Sequence, residues 1–119
     1  MHTMSTADAA DCIDWSAVWE RFEGDEQLLR EVIVLFLDDC PRRLAEVCDA
    51  VARHDSDALH HAAHSIKGSL ANFAAHDAVH AAHCLEIMGR DNNLAGADET
   101  CRTLEREVAR LTAVLASVR

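Results

Sequence analysis

The fold is decided by residues 55–73, which read DSDALHHAAHSIKGSLANF. At about 100° per residue, the apolar side chains of this segment fall on one face of a helix. That face is made of Leu59, Ala62, Ala63, Ile66, Leu70 and Phe73. Asp55 or Ser56 is suited to cap the helix, which is expected to run to about Asn72. On the same geometry His64 lies about 140° from the centre of the apolar face, so its ring is predicted to point towards solvent.

Similar apolar stripes recur on both sides of this helix and predict further helices. They are expected from near residue 14 to residue 24, over about 26–39, from Pro41 through Val51, over about 77–88, and over about 98–118. Pro41 suits a first helical turn, and Gly89 suits a helix end. The chain has one Pro, four Gly and 4% aromatic residues, a composition that favours helices over strands. We therefore predict an all-α fold, an antiparallel four-helix bundle with one or two additional short N-terminal helices.

The 119 residues correspond to one domain, which we place at residues 12–119 after a flexible tail at 1–11. Half of the residues are apolar, so a disordered protein is excluded. The net charge of −10 disfavours binding to nucleic acid or to an anionic membrane. Six of the eight histidines lie between His60 and His83, so we look for function in the middle of the chain.

Five cysteines occur, an odd number, and none forms a Cys-x-x-Cys pair. This pattern favours thiols in a reducing cytosol over a disulfide framework. The N-terminus shows no signal-peptide pattern, and no apolar run approaches the ~18 residues of a membrane span. A cytoplasmic location is therefore expected.

The residues beside His64 on the outer face favour phosphoryl chemistry. A neutral imidazole is a competent nucleophile near pH 7, and Lys67 can neutralise charge on an arriving phosphate. Gly68 costs about 1 kcal/mol relative to Ala inside a helix, so it needs a reason. One explanation for the glycine is that a partner comes close to the helix backbone here. The alternative is neutral sequence drift at an exposed position.

The chain resembles histidine-containing phosphotransfer (HPt) domains in four places. These are AHSIKGS at residues 63–69, NFAA at 72–75, LE at 85–86 and GR at 89–90. The upstream residues Asp14, Gly24, Asp25, Phe36 and Leu37 also resemble the early helices of that family. The resemblance covers roughly residues 13–118. Two residues depart from the family pattern. Ala74 replaces a usual Gly, which predicts that the histidine helix lacks its left-handed cap, and Ala78 replaces a common Leu, which predicts a thinner core there.

The resemblance implies a phosphorelay intermediate rather than an enzyme. His64 is expected to accept a phosphoryl group from an Asp of one receiver domain, such as that of a hybrid sensor kinase. It then passes the group to the Asp of another response regulator. The family implies no kinase activity and no bound ATP, and no cofactor is expected in this chain, with Mg²⁺ carried by the receiver partner. The domain is expected to be a monomer.

Several other polar residues carry two interpretations each. Glu86 lies on a helix predicted to pack against the histidine helix, where it either orients the ring of His64 or is a solvated surface charge. His60 and His61 lie one turn before His64. They either change the electrostatic potential at His64 or are simply solvated surface residues.

Two further functions compete with phosphotransfer. His76, His80 and His83 share one helix face and allow a His-rich metal-binding helical protein, although no Asp or Cys completes the ligand set at suitable spacing. A scaffold that binds receiver domains without carrying phosphate is the other, and the presence of His64, Lys67 and Gly68 argues against it.

Overall fold

Residues 12–118 are described by the structure, a computed structural model, and they form helices without any strand. The helices are α1 (Trp15–Arg21), α2 (Glu26–Ala52), α3 (Ser56–Ala71), α4 (His76–Arg90) and α5 (Ala97–Val118). Both α2 and α4 pack against α3 and against α5, so the four long helices close into a bundle to which α1 is added. The predicted all-α four-helix bundle is confirmed. The predicted tail at residues 1–11 lies outside the described residues.

Aspartate side chains cap the N-termini of three of the helices. Asp14, Asp25 and Asp55 each accept a hydrogen bond from the backbone N–H three residues later, at 3.2, 3.0 and 3.0 Å respectively. Each bond satisfies an amide of the first turn that has no partner within the helix. For α3 the sequence left Asp55 and Ser56 open as caps, and the structure selects Asp55.

The core lies between the four long helices. The predicted face of α3 supplies Leu59, Ala63, Ile66 and Leu70, all with no exposed surface, followed by Phe73. Ala62, the sixth residue of the predicted face, is half-buried at its edge. Within residues 12–118 no helix has the length and apolar character that crossing a membrane requires.

Helix α2 passes through Pro41 without interruption, so the prediction of two separate helices, one ending near residue 39 and one starting at Pro41, is wrong. A proline inside a helix removes a hydrogen bond and costs about 3 kcal/mol or more. Pro41 is itself exposed, however, and Cys40 and Val47, on either side of it, are both buried two turns apart. A continuous helix keeps both halves of the stripe on the core, and this burial outweighs the lost bond.

Helix α4 continues to Arg90, so the prediction that Gly89 stops it near residue 88 is wrong. Gly89 is buried against the backbone of α3. A Cβ at this position would lie 2.6 Å from the backbone nitrogen of His60 and 2.6 Å from the carbonyl oxygen of Ser56. Gly89 is therefore a close crossing point, which fixes α4 on α3 one turn from Glu86.

The turn between α3 and α4 contains Ala74, whose φ is +50°. The expectation that this helix end lacks a left-handed residue is therefore wrong, since the backbone adopts that conformation with an alanine. A non-glycine residue there costs roughly 1–2 kcal/mol, and Ala74 packs against the core. Ala78, in place of a larger side chain, is 2% exposed, so its small side chain lies within the core.

Candidate functional site

His64 lies in the middle of α3, on the side opposite the buried face. Its side chain is 69% exposed, whereas Ala63 and Ile66 on the same helix have no exposed surface. The predicted outward orientation of His64 is therefore confirmed. The ring lies on a rigid helix rather than on a loop, which fixes its position for contact with another molecule.

Glu86 of α4 reaches across to α3 and binds two side chains at once. Its Oε2 lies 2.7 Å from Nδ1 of His64, and its Oε1 accepts a hydrogen bond of 2.5 Å from Nζ of Lys67. The Glu86 side chain is only 13% exposed. Glu86 is therefore not a solvated surface charge, and its role in orienting the ring of His64 stays a prediction.

The charge of Glu86 is stabilised by these contacts. The hydrogen bond from Lys67 is the largest cause that lowers the pKa of Glu86 from 4.5 to about 2, and the hydrogen bond from His64 acts in the same direction. Burial opposes the shift because it disfavours the charged carboxylate. Glu86 is therefore a full negative charge beside the imidazole at neutral pH.

This pairing determines which nitrogen of His64 is available. A carboxylate can only accept, so a neutral His64 ring donates its Nδ1 proton to Glu86. The Nε2 atom then keeps its lone pair on the exposed ring. The site thus presents one nucleophilic nitrogen of defined position, with a negative charge behind it that stabilises any positive charge developing on the ring.

Two histidines that sequence reasoning did not connect to Glu86 also contact it. Nδ1 of His83 lies 3.5 Å from Oε1 of Glu86, and Nδ1 of His60 lies 3.3 Å from its backbone oxygen. The three-residue spacing between His83 and Glu86 on one helix was a usable signal. The His60 contact depends on the crossing of α3 and α4, which no local pattern reveals. His61 instead contacts the backbone oxygen of Asp57 at 2.9 Å.

The other two predicted site residues occupy the same surface. Lys67 is partly exposed and paired with Glu86, an ion pair that the sequence did not predict. Gly68 is exposed, and a Cβ built on it would meet no atom within 4 Å. The helix backbone at Gly68 is therefore open to a partner.

A groove lies between α2 and α3, and Ser69, the residue after Gly68, lines it. It is lined by Leu35, Phe36, Asp39, Arg43, Ser69 and Asn72, among others. Leu35 is 67% exposed, the most exposed large apolar side chain of the described chain. Arg43 donates hydrogen bonds to both Asp39 and Ser65, and so ties α2 to α3 near His64. Sequence analysis did not predict this groove, although Ser69 and Asn72 belong to the motifs that carry the family resemblance.

The histidines proposed as metal ligands do not come together. His76 lies 3.9 Å from a carboxylate oxygen of Asp14, His80 contacts Cys84, and His83 contacts Glu86. Within residues 12–118, the one trio whose ligand atoms all lie within 4.8 Å of one another is Cys48, Cys101 and Glu105. His76, His80 and His83 share a helix face, but their side chains do not form a common metal site in the described part of the chain.

Comparison with known proteins agrees with this geometry. The family model for the Hpt domain matches residues 31–114. This chain belongs to the Hpt domain family. The crystal structure of histidine-containing phosphotransfer protein B (HptB) from Pseudomonas aeruginosa PAO1 matches with a TM-score of 0.81 and 27% sequence identity. The match covers 88% of this chain and 91% of the HptB chain. No curated protein matches the sequence. Members of the Hpt family are phosphocarriers rather than kinases, and they act in phosphorelays.

Proposed function

We propose that this Hpt domain carries phosphate between two receiver domains on Nε2 of His64. The observation that carries the proposal is the hydrogen bond of 2.7 Å between Nδ1 of His64 and Glu86, on a side chain that is 69% exposed. An idle surface histidine needs no partly buried carboxylate to orient it. A phosphoacceptor does, because its free nitrogen must meet the phosphorus atom in line.

The transfer step is a displacement at phosphorus. Nε2 of His64 forms a bond to the phosphorus of an aspartyl phosphate as the bond from phosphorus to the Asp oxygen breaks, and the Asp carboxylate leaves. The ring becomes a positively charged phosphoimidazole, which the anionic Glu86 stabilises. The reverse step, with the Asp of a second receiver domain as nucleophile, regenerates the neutral ring. The receiver partner supplies the Mg²⁺ that neutralises the phosphoryl oxygens.

Lys67 and Gly68 support the step in different ways. Lys67 lies one turn after His64, and its ammonium group is available to a phosphoryl oxygen while it remains near Glu86. Gly68 leaves the helix backbone uncovered, so the loops around a receiver Asp can come close to the ring. In this proposal Lys67 contributes charge and Gly68 contributes space.

We propose the partners that membership of the Hpt family implies. A phosphorylated Asp is the donor, from the receiver domain of a hybrid sensor kinase, and the Asp of a response regulator is the acceptor. We propose that the domain works as a cytoplasmic monomer, since one His64 surface can serve the two receivers in turn.

The proposal is tested by label transfer from a receiver domain that has been phosphorylated with labelled acetyl phosphate and Mg²⁺. Wild-type protein is expected to take up label that is labile in acid and stable in alkali, as phosphohistidine is. His64→Gln is expected to fold and to take up none. His61→Gln is the matched control, because His61 is 72% exposed on the same helix, and it is expected to take up label like wild type. Labelling of the His64→Gln variant would refute the assignment.

A further inference from the structure

Two cysteines from different helices are in contact where α2 packs against α5. Sγ of Cys48 lies 3.1 Å from Sγ of Cys101, and the two residues are 53 positions apart in the chain. Cys101 is 5% exposed, whereas Cys48 is half-buried. Cys48 is therefore the more exposed residue of the pair. The phosphotransfer site uses neither residue.

The distance suits a disulfide better than it suits a metal ion. A disulfide has an S–S length of about 2.05 Å, so the two sulfurs need to approach by about 1 Å. Glu105 brings a carboxylate oxygen within 4.8 Å of both sulfurs, which makes a thiophilic cation the alternative. Structural zinc sites use four protein ligands, however, and thiolates bound tetrahedrally at about 2.3 Å stand roughly 3.8 Å apart. A cation would have three ligands here and would have to separate the sulfurs.

We propose that Cys48 and Cys101 form an intramolecular disulfide by exchange with a small-molecule disulfide of the glutathione class. The sulfur of Cys48 attacks the small disulfide, forms a mixed disulfide and releases one thiol. The sulfur of Cys101 then attacks Sγ of Cys48, forms the protein disulfide and releases the second thiol. The two cysteine protons end on the two released thiols, so the small disulfide is the only oxidant required.

The surroundings of Cys48 and Cys101 determine how fast the disulfide forms and how it affects the stability of the protein. Burial is the largest cause that raises the pKa of both thiols, and the thiolate is the attacking species. Exchange is therefore expected to be slower at neutral pH than for an ordinary exposed thiol. Once formed, the bond joins α2 to α5 across a long loop and restricts the unfolded chain, which raises the melting temperature. His64 and Glu86 lie on α3 and α4, so the bond leaves their contact in place.

Peptide mapping after incubation with oxidised glutathione tests the proposal directly. Cleavage after Lys and Arg places each of the five cysteines in its own tryptic peptide. We expect the intact mass to fall by about 2 Da for the two hydrogens lost. We also expect a new linked peptide that joins residues 44–53 to residues 91–102 and disappears on reduction. The oxidised protein is expected to melt at a higher temperature than the reduced protein.

Cysteine variants provide the controls. Cys48→Ser and Cys101→Ser are each expected to lose the linked peptide and the gain in melting temperature. Cys84→Ser is expected to keep both, because Cys84 is also half-buried but contacts Nε2 of His80 at 3.6 Å rather than another sulfur. A linked peptide that contains a different cysteine, or glutathione adducts without a linked peptide, would overturn the proposal. So would stoichiometric zinc binding that blocks oxidation and is lost in Glu105→Gln. The wild-type peptide map remains decisive if either variant of the pair fails to fold.

Discussion

Lys67 and His64 bind the two oxygens of one carboxylate, that of Glu86, at 2.5 and 2.7 Å. Glu86 therefore links Lys67 to the imidazole of His64. In the proposed reaction, an arriving phosphoryl group meets the ammonium group of Lys67 while Glu86 keeps its contact with the ring. The three side chains act as a unit, so the effects of their substitution are not expected to add.

Replacement of Glu86 is expected to slow phosphotransfer without unfolding the domain. Glu86→Ala removes the acceptor that holds the Nδ1 proton and the charge that stabilises the phosphorylated ring. A hydrogen bond to a charged group is worth about 1.5–3 kcal/mol, so the rate is expected to fall by roughly ten- to a hundredfold. Rapid-quench measurement of label transfer from a phosphorylated receiver checks this.

Glu86→Gln is the matched variant for that measurement. The Gln amide oxygen can still accept the Nδ1 proton, but it carries no charge, so the loss of rate is expected to lie between wild type and Glu86→Ala. Lys67→Ala is also expected to slow transfer, and in the Glu86→Ala background it should slow it by a different factor than in wild type. A Glu86→Ala protein that transfers at the wild-type rate would contradict the orienting role.

The lowered pKa of Glu86 predicts a pH-dependent contribution to stability. Its pKa is about 2 in the folded protein against an ordinary 4.5, so folding favours the charged form. The stabilisation is fully present above about pH 4.5 and is lost as the pH falls through 2. We therefore expect wild type to be more stable than Glu86→Gln at neutral pH, and the gap to narrow steadily below about pH 5. Urea unfolding of both proteins over that range checks this, and a gap independent of pH would refute it.

The same comparison can be repeated in a background without the ammonium group. Lys67 is the largest cause of the lowered pKa of Glu86. A Lys67→Met protein keeps an apolar stem at this position. In that background, the difference in the free energy of unfolding between Glu86 and Glu86→Gln proteins is expected to vary much less with pH. An undiminished change would mean that His64 rather than Lys67 dominates the interaction.

Sequence periodicity predicted the orientation of His64 and the buried face of α3, because both depend on one helix alone. It failed at Pro41, where the proline indicated a break between two helices. The helix continues because burial of the apolar stripe on both sides of Pro41 outweighs the hydrogen bond that proline removes. It also failed at Gly89, because a close crossing and a helix end both use glycine. The Lys67–Glu86 pair could not be predicted in the same way, since it depends on the register between two helices that only the packed structure defines.

Two glycines in packed neighbouring helices are expected to respond oppositely to the same substitution. Gly89→Ala places a Cβ 2.6 Å from backbone atoms of His60 and Ser56, so α3 and α4 must move apart. We expect a loss of roughly 1–3 kcal/mol in the free energy of unfolding. Gly68→Ala meets no neighbour within 4 Å, and its higher helix propensity is expected to add about 0.5–1 kcal/mol. Denaturant unfolding of both variants decides this, and a neutral Gly89→Ala would refute the close crossing.

The exposed side chain of Leu35 is expected to contribute to receiver binding. It is 67% exposed and lines the groove between α2 and α3, and large exposed apolar side chains often mark interaction surfaces. Leu35→Ser is expected to raise the Kd for a receiver domain by roughly tenfold or more, as the loss of a buried leucine contact implies. Leu28→Ser on the same helix, 44% exposed and outside this groove, is the control and should leave the Kd unchanged. Equal effects of the two variants in calorimetric titration would argue against the groove.

Gly68→Gln separates docking from folding, because the two effects have opposite signs. The Gln side chain starts in open space and replaces glycine in an exposed helix, so the protein is expected to gain about 0.5–1 kcal/mol in stability. The same side chain stands one turn from His64 in the space that a receiver must occupy, so receiver binding and phosphotransfer are expected to be lost. Thermal melting and label transfer on one preparation measure both. A variant that melts higher and still transfers at the wild-type rate would show that the receiver approaches His64 from another side. One that melts lower would show that Gly68 is buried or has a backbone conformation that only glycine allows.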